Sequence, residues 1–370
     1  MGNKTLIQHL RLNPFRAEPR LHFGARIIGL DPRIPVAWSS GSCKDTGMAR
    51  GAKAWLKRSS ARASLLLLNA ALLVRYRRLT QHFLKRMRHL PNFAAPVTFT
   101  EKIHWRKIFD DDPRFVGLLD KLKSKELVRQ RLPWLSIPEI LWQGDDPRQI
   151  PFDDLNIPYA VKCNHGCAMN VIVRDPANAD REAIIAEMTG HLAQTYGTRK
   201  LERSYAHIRR RVFVEALVGK DQDYNPVDYK LCVLAGRVEY IVVVAFRSTV
   251  KNTGHLDRDW RPLDIVQGAI DSSLKIPPPK SLARMIEAAE ALSSEFDMVR
   301  VDFYEEDGEP IFGEFTVYPR SGLLQFDPAS FDGELGAHWD IGASGYLSRV
   351  PSRFARRYKA MLVAAGYLDN

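Results

Sequence analysis

Two acidic residues carry the most suggestive spacing in this chain. Asp302 sits in Val299-Arg300-Val301-Asp302-Phe303-Tyr304 and Glu314 in Ile311-Phe312-Gly313-Glu314-Phe315-Thr316, with Asp307-Gly308 between the two runs. Both runs are rich in β-formers and Asp-Gly is a tight-turn signal, so a hairpin is predicted over 300–317. Register then decides whether the acids can cooperate. A two-residue turn at Asp307-Gly308 sets 306 opposite 309 and sends the carboxylates to opposite faces. A three-residue loop, Glu306-Asp307-Gly308 with Gly308 left-handed, sets 305 opposite 309 and gathers Arg300, Asp302 and Glu314 on one face. Carboxylates so placed repel unless a cation sits between them. Mg²⁺ is the oxygen-seeking ion that links carboxylates to nucleotide phosphates, and Arg300 beside them can grip a phosphate bidentately. The bland alternative is a solvated hairpin face with one salt bridge.

Cations that suit the same chemistry lie upstream. Tyr159-Ala160-Val161-Lys162 is an apolar strand ending in Lys, followed by the loop Cys163-Asn164-His165-Gly166. A Lys there reaches phosphates, and a flexible glycine loop offers them backbone N–H groups. Lys121 and Lys125 add charge from a preceding helix. Glu215 closes the strand Val212-Phe213-Val214 and is placed as an acceptor for an adenine amino group. Each also has a structural reading, a snorkelling Lys or a turn Gly. Cys163, His165 and Cys167 fall within five residues without a second cluster, which makes a poor zinc site. His165 is better placed for a phosphate or an acceptor substrate.

These residues need a frame of strands and helices. Helical spacing runs from about 62 to 90 and again from Thr100 to Arg131, with Thr100 as cap and Pro133 and Pro138 beyond the end. Strands are predicted at 159–162, 171–173 and 211–218, with a hairpin over 229–246 turning at Ala235-Gly236. Helices are predicted at 180–196 and 281–296. The mixture argues for an α+β fold.

At 370 residues the chain exceeds one ordinary core, and 45% hydrophobic with 26% charged residues describes a folded protein, not a disordered one. The net charge of +11 is uneven. Residues 1–98 hold 18 Lys and Arg against 3 acids, so the remainder, with 36 against 40, is close to neutral. Four cysteines form no disulfide framework and read as thiols of the cytoplasm. The apolar run 63–74 is too short for a membrane span, which needs roughly twenty residues. Flanked by Arg62 and Arg75-Tyr76-Arg77-Arg78, it suits a buried helix or a membrane interface. The reading divides the chain into a basic, poorly ordered arm (1–60), a helical extension (61–98), a main domain (99–340) and a C-terminal helical segment (341–370).

The order of these motifs resembles the ATP-grasp superfamily, specifically its teichuronopeptide-biosynthesis, TupA-like branch. The resemblance runs from about Phe99 to Leu335. It rests on Phe99-Thr100-Glu101-Lys102-Ile103-His104-Trp105, Val161-Lys162-Cys163-Asn164-His165-Gly166, Asp228-Tyr229-Lys230, Val299-Arg300-Val301-Asp302 and Gly313-Glu314-Phe315-Thr316. It implies an ATP-grasp fold, two α+β subdomains clasping ATP. Lys121 and Lys162 would contact phosphates with the Asn164–Gly166 loop, Glu215, Ala216, Leu217 and Val218 would line the adenine, and Asp302 and Glu314 would hold Mg²⁺. Lys230, Arg300 and His165 would face the reacting groups. Three departures stand out. The branch usually shows Asn-His-Gly-Ser-Gly where this chain has Asn164-His165-Gly166-Cys167-Ala168, and losing the second Gly stiffens the loop. Thr316 replaces the Asn found two residues after the second metal carboxylate in many ATP-grasp enzymes, and Pro319-Arg320 replaces the following Pro-Gly.

The activity implied is ATP-dependent joining of a carboxylate to an amine through an acyl phosphate. In this branch that means an amino acid attached to a uronic acid of a cell-surface polysaccharide. The expected partners are a small amine and a carboxylate substrate, an acidic polysaccharide among the candidates, with no nucleic acid. The basic arm offers a contact with the inner face of the membrane of a cytoplasmic protein. The rival reading is an envelope-polysaccharide protein that keeps the fold for binding or for glycosyl transfer.

Overall fold

The computed structural model describes residues 45–219, 226–247, 250–267, 276–349 and 351–369. Most of the expected arm, 1–44, lies outside them. Its remainder does not behave as an arm: helix α1 already begins at Asp45 and runs to Arg75, followed by α2 (Arg77–Met87). The predicted 100–131 block is three helices, α3 (Phe99–Phe109), α4 (Arg114–Leu119) and α5 (Lys121–Arg131). The cap of α3 is Thr98, not Thr100. Thr98 and Glu101 form a reciprocal capping box, while the Thr100 hydroxyl donates to buried Asp332. Pro113 separates α3 from α4, and Asp120 caps α5 by accepting from the Leu122 and Lys123 amides.

Next come β1 (Ile140–Gly144), β2 (Tyr159–Cys163), β3 (Asn170–Val173), α6 (Arg181–Ala193) and β4 (Val212–Ala216). Strands β5 (Asp228–Leu234), β6 (Arg237–Arg247), β7 (Val250–Leu256) and β8 (Val266–Gln267) follow, then α7 (Leu282–Ser293), β9 (Met298–Glu306), β10 (Glu309–Thr316) and β11 (Phe326–Asp327). The chain ends in α8 (Ser330–Ala337), α9 (Gly345–Ser348) and α10 (Arg353–Ala365). Two antiparallel sheets organise the fold. One has the order β1-β4-β2-β3, the other β10-β9-β5-β6-β7, and β11 pairs with β8 apart from both. The α+β expectation holds. Among the described residues no helix is long and apolar enough to cross a membrane.

Residues 49–370 form one compact unit. Its smaller core lies between the four-stranded sheet and α6, where Ile184 and Met188 meet Val161 and Val214. The larger core lies under the five-stranded sheet and draws in α3 and α10. The Trp105 indole donates to the Tyr358 hydroxyl at 2.8 Å, and that hydroxyl donates to the Ala94 carbonyl at 2.7 Å. Arg106, fully buried, donates to Asp297 at 2.6 Å and to the Met298 carbonyl at 2.9 Å, and Trp339 also donates to Asp297. Such a charge survives burial because carboxylate and carbonyls replace its water.

His104 is buried in the same region, stacked on Phe93 and edge-on to Phe83, with Nδ1 2.9 Å from the Thr100 carbonyl. Burial, helped by the nearby Lys107 cation, depresses its pKa to about 3. The native state therefore needs a neutral ring, whereas the unfolded chain binds a proton below about pH 6.5. Stability is expected to fall between pH 6.5 and 3 by about 1.4 kcal/mol per pH unit from this residue. Thermal melts from pH 7 to 4 should slope less for His104→Phe than for wild type. Parallel slopes would refute the assignment.

Candidate functional site

The hairpin that carries the two acids does not form as the three-residue loop. Asp307 and Gly308 both have positive φ, 54° and 82°, and make a two-residue turn with Glu306 opposite Glu309. In an unbroken ladder that turn would place Asp302 and Glu314 on opposite faces. A bulge at Gly313 corrects it: Phe312 pairs with Phe303, Gly313 is skipped, and Glu314 pairs with Asp302 and Thr316 with Arg300. A Cβ on Gly313 would come within 3.0 Å of the Asp302 carbonyl oxygen, so the residue that makes the bulge has little room for a side chain.

Across the sheet, Lys230 on β5 lies opposite Asp302. The result is a row of alternating charge. Lys121 from α5 pairs with Glu314; Arg300 donates to both Asp302 oxygens at 2.7 Å; Lys230 donates to Asp302 at 2.8 Å and pairs with Asp228. Burial pushes the Glu314 carboxyl up, but the Lys121 ammonium, with Arg300 and Lys230, outweighs it and holds the group at about 2. Burial and then the Asp302 charge push Asp228 up to about 6. Lys230 is lowered by burial but raised more by Asp302 and Asp228.

The four-stranded sheet supplies the facing wall. Lys162, at the end of β2, donates to Glu215 at 2.5 Å, and Lys125 reaches the other Glu215 oxygen at 3.0 Å. The cap at Asp120 starts α5 so that Lys121 and Lys125, one turn apart, both point into this cleft. Glu215 is therefore not a free acceptor for adenine. Its carboxylate is the buried counterion of two lysines, and both hold its pKa down against burial. The Ala216 and Leu217 amides are engaged with the Glu139 and Pro158 carbonyls. The segment 216–218, partly exposed, runs on from β4 towards the second sheet.

The loop after β2 is tightly packed. The Cys163 amide donates to the Met169 carbonyl at 2.9 Å, and a Cβ on Gly166 would overlap Met169 and Tyr196. Ala168, where the family pattern has Gly, is held at φ 56°. That costs about 1–2 kcal/mol for a residue with a Cβ. Asn164 is buried and bolts this loop in place, donating to Asp120 and the Arg209 carbonyl and accepting from the Arg211 amide. His165 does not join the acids. It is buried against the end of α6, beside His191, Gln194 and Arg210, and burial lowers its pKa. Cys163 is buried and Cys167 exposed, and among the described residues no cluster of three metal-ligating side chains gathers.

The donor set fits a hard divalent cation nonetheless: two carboxylates on adjoining strands in direct register, with a hydroxyl, Thr316, next along that face. Five cations (Lys121, Lys125, Lys162, Lys230, Arg300) are paired with four carboxylates (Glu215, Glu314, Asp302, Asp228). A polyphosphate with its metal would exchange partners along this row, metal to carboxylates and phosphates to cations. Beside Lys230 and Arg300 opens a cavity of about 100 Å³ with Arg320 at its rim and Phe99, Val242 and Val244 in its walls. Thr253, buried in that wall, has no hydrogen-bond partner for its hydroxyl among the described residues.

The model of the family described as TupA-like ATPgrasp matches residues 101–340, well over half the chain. The chain belongs to the TupA-like ATP-grasp family. No curated protein matches it. Among solved structures, D-alanine–D-alanine ligase from Bacillus anthracis in complex with ATP is 17% identical, with 60% of this chain and 63% of that one covered and a TM-score of 0.34. The D-alanine–D-alanine ligase of Helicobacter pylori is 12% identical over 65% and 67%, with a TM-score of 0.36. The N5-carboxyaminoimidazole synthase of Aspergillus clavatus is 11% identical over 59% and 50%, with a TM-score of 0.35. This chain thus spans under two thirds of the first of these, and at such scores they lend it no property. Family membership extends through α8 and embraces both sheets, so every residue of the charge row lies inside it. Sequence reasoning singled out most of that row. It missed the anchoring of Lys125 to Glu215, which residues 90 apart in the chain do not announce, and it gave Asp228 no role of its own.

Proposed function

We propose that this TupA-like ATP-grasp protein is an ATP-dependent carboxylate–amine ligase. The observation that carries the reading is Asp302 opposite Glu314, brought to one face by the Gly313 bulge, with Arg300 and Lys230 paired to Asp302, Lys121 paired to Glu314 and Lys162 beside Glu314 in the same pocket. Lys121, Lys125 and Lys162 hold phosphates, and the 215–218 segment borders the adenine. Mg²⁺, held by Asp302 and Glu314 with Thr316 beside them, would supply the charge that lets a phosphoryl group accept an anion. A substrate carboxylate oxygen attacks the γ-phosphorus, the bond to the β-phosphate oxygen breaks, and ADP leaves. The amine nitrogen then attacks the acyl carbon, losing a proton as inorganic phosphate departs. Lys230 and Arg300 screen the approaching carboxylate, which lodges at their end of the Arg320 cavity. Residues 99–340 form the catalytic unit in this reading, and the protein works in the cytoplasm. The acceptor that suits the basic N-terminal stretch is an acidic polysaccharide whose uronic acid carboxyl takes an amino acid.

The test is incubation with Mg-ATP and a panel of amino acids and uronic acids, reading ADP. Release that requires both an amine and a carboxylate is the expected result. Release of AMP would make the protein an adenylating ligase, and no release with any pair would leave a binding protein.

A further inference from the structure

Helix α1 is apolar on two faces, and among the described residues only one is covered. Ala61, Leu65 and Leu72 pack into the protein. On the other side Trp55, Leu56, Leu66, Leu67 and Val74 are 67%, 58%, 69%, 75% and 77% exposed. At 100° per residue these five fall within about a third of a turn of one another, almost opposite the buried three. Exposed Ala63 and Ala70 lie between them and Ser59 interrupts the face once, so the stripe extends along about 30 Å of helix.

The flanks of the stripe are cationic. Lys53, Lys57 and Arg75 border one side and Arg58 and Arg62 the other, all exposed. From Thr46 to Thr100 the sequence contains no acid at all. The helix is fixed to the body, since Arg62 donates to the Ala365 carbonyl at the end of α10 at 3.3 Å and α1 packs its buried face into the core. No described helix can span a bilayer. An apolar stripe between rows of cations, without one acid, matches the interface of an anionic bilayer: acyl chains meet the leucines and lipid phosphates meet the flanks.

We infer that the outer face of α1 seats the protein in the plane of an anionic lipid surface. Exposed stripes of this kind otherwise serve as protein interfaces, but a second copy would bring the same dense positive charge against itself. An acid-free partner face is the wrong complement for a copy and the right one for anionic lipid. The inference does not depend on the ligase reading, because none of these residues belongs to the charge row or lines the pockets beside it.

Flotation of the full-length protein with vesicles tests it. Binding is expected to vesicles containing phosphatidylglycerol or phosphatidylserine and not to pure phosphatidylcholine. It should weaken as salt rises and the screening length shrinks from about 10 Å at 0.1 M to about 3 Å at 1 M. The double variant Leu66→Gln, Leu67→Gln keeps every charge and touches no buried residue. It should bind anionic vesicles about tenfold or more weakly, with an unchanged melting temperature. Equal binding by that variant would overturn insertion of the stripe. Absence of wild-type binding to anionic vesicles would overturn the inference outright, as would a dimer that dissociates in the double variant while vesicles capture neither.

Discussion

Glu314→Gln and Asp302→Asn are each expected to cut ATP-dependent ADP release by about 10³-fold or more, the scale of losing a metal clamp on a transferring phosphoryl group. The two variants fail for different local reasons. Glu314 is partly exposed and among the described residues pairs with Lys121 alone, so its amide frees that lysine and removes a hard ligand with little effect on the fold. Asp302 is buried and receives Arg300 and Lys230 together, so its amide leaves two cations sharing one weaker acceptor. Glu314→Gln should therefore melt close to wild type, and Asp302→Asn below it. Turnover in stopped assays and melting curves on the same samples separate the two effects. Wild-type turnover in both variants would remove the metal from the proposal. A loss in Asp302→Asn alone would reduce the pair to one structural ion bridge.

How much of this could be read from the chain depends on where the information sits. Local signals were legible. Asp307-Gly308 and the Gly of Ala235-Gly236 mark their turns because Gly, and to a lesser degree Asp, tolerates positive φ, and the helix over 282–293 shows its period. Strands β2 and β4 were legible with Lys162 and Glu215 on them, but the contact between the two depends on the antiparallel pairing of those strands, which neither run announces. What escaped was set by contacts far apart in sequence. The bulge at Gly313 leaves no mark beyond a glycine in a strand, yet it reverses the face of every residue after it. A three-residue loop would put both acids on one face; the chain achieves the same inside the strand, at Gly313. His165 looked available because its neighbours 191–194 and 210 come from α6 and beyond. The cap of α3 shifted by two residues because Thr98 and Thr100 are equally good by type, and only the Asp332 carboxylate, more than 200 residues away, claims one of them.

Glu215→Gln should discriminate between the two roles open to that residue. As an acceptor for adenine, its amide would lose nucleotide affinity and leave the ligand-free protein as stable as wild type. The geometry favours another outcome. Lys125 is buried and Lys162 largely so, and Glu215 is the counterion both share. Burial already lowers the Lys125 pKa, with the Glu215 charge opposing it. Removing that charge leaves two neighbouring ammonium groups without an anion, at a cost of about 3–5 kcal/mol for a broken buried pair. The ligand-free variant should therefore melt well below wild type. Nucleotide phosphates would restore the missing negative charge, so Mg-ATP should raise its melting temperature by more than it raises that of wild type. Lys125→Met, which relieves the repulsion, should recover stability in the Glu215→Gln background without recovering turnover. If the single variant melts like wild type and loses its response to Mg-ATP, Glu215 contacts the base and the phosphate lysines are held by something else. If it melts low and responds strongly, the carboxylate holds the place that the triphosphate takes.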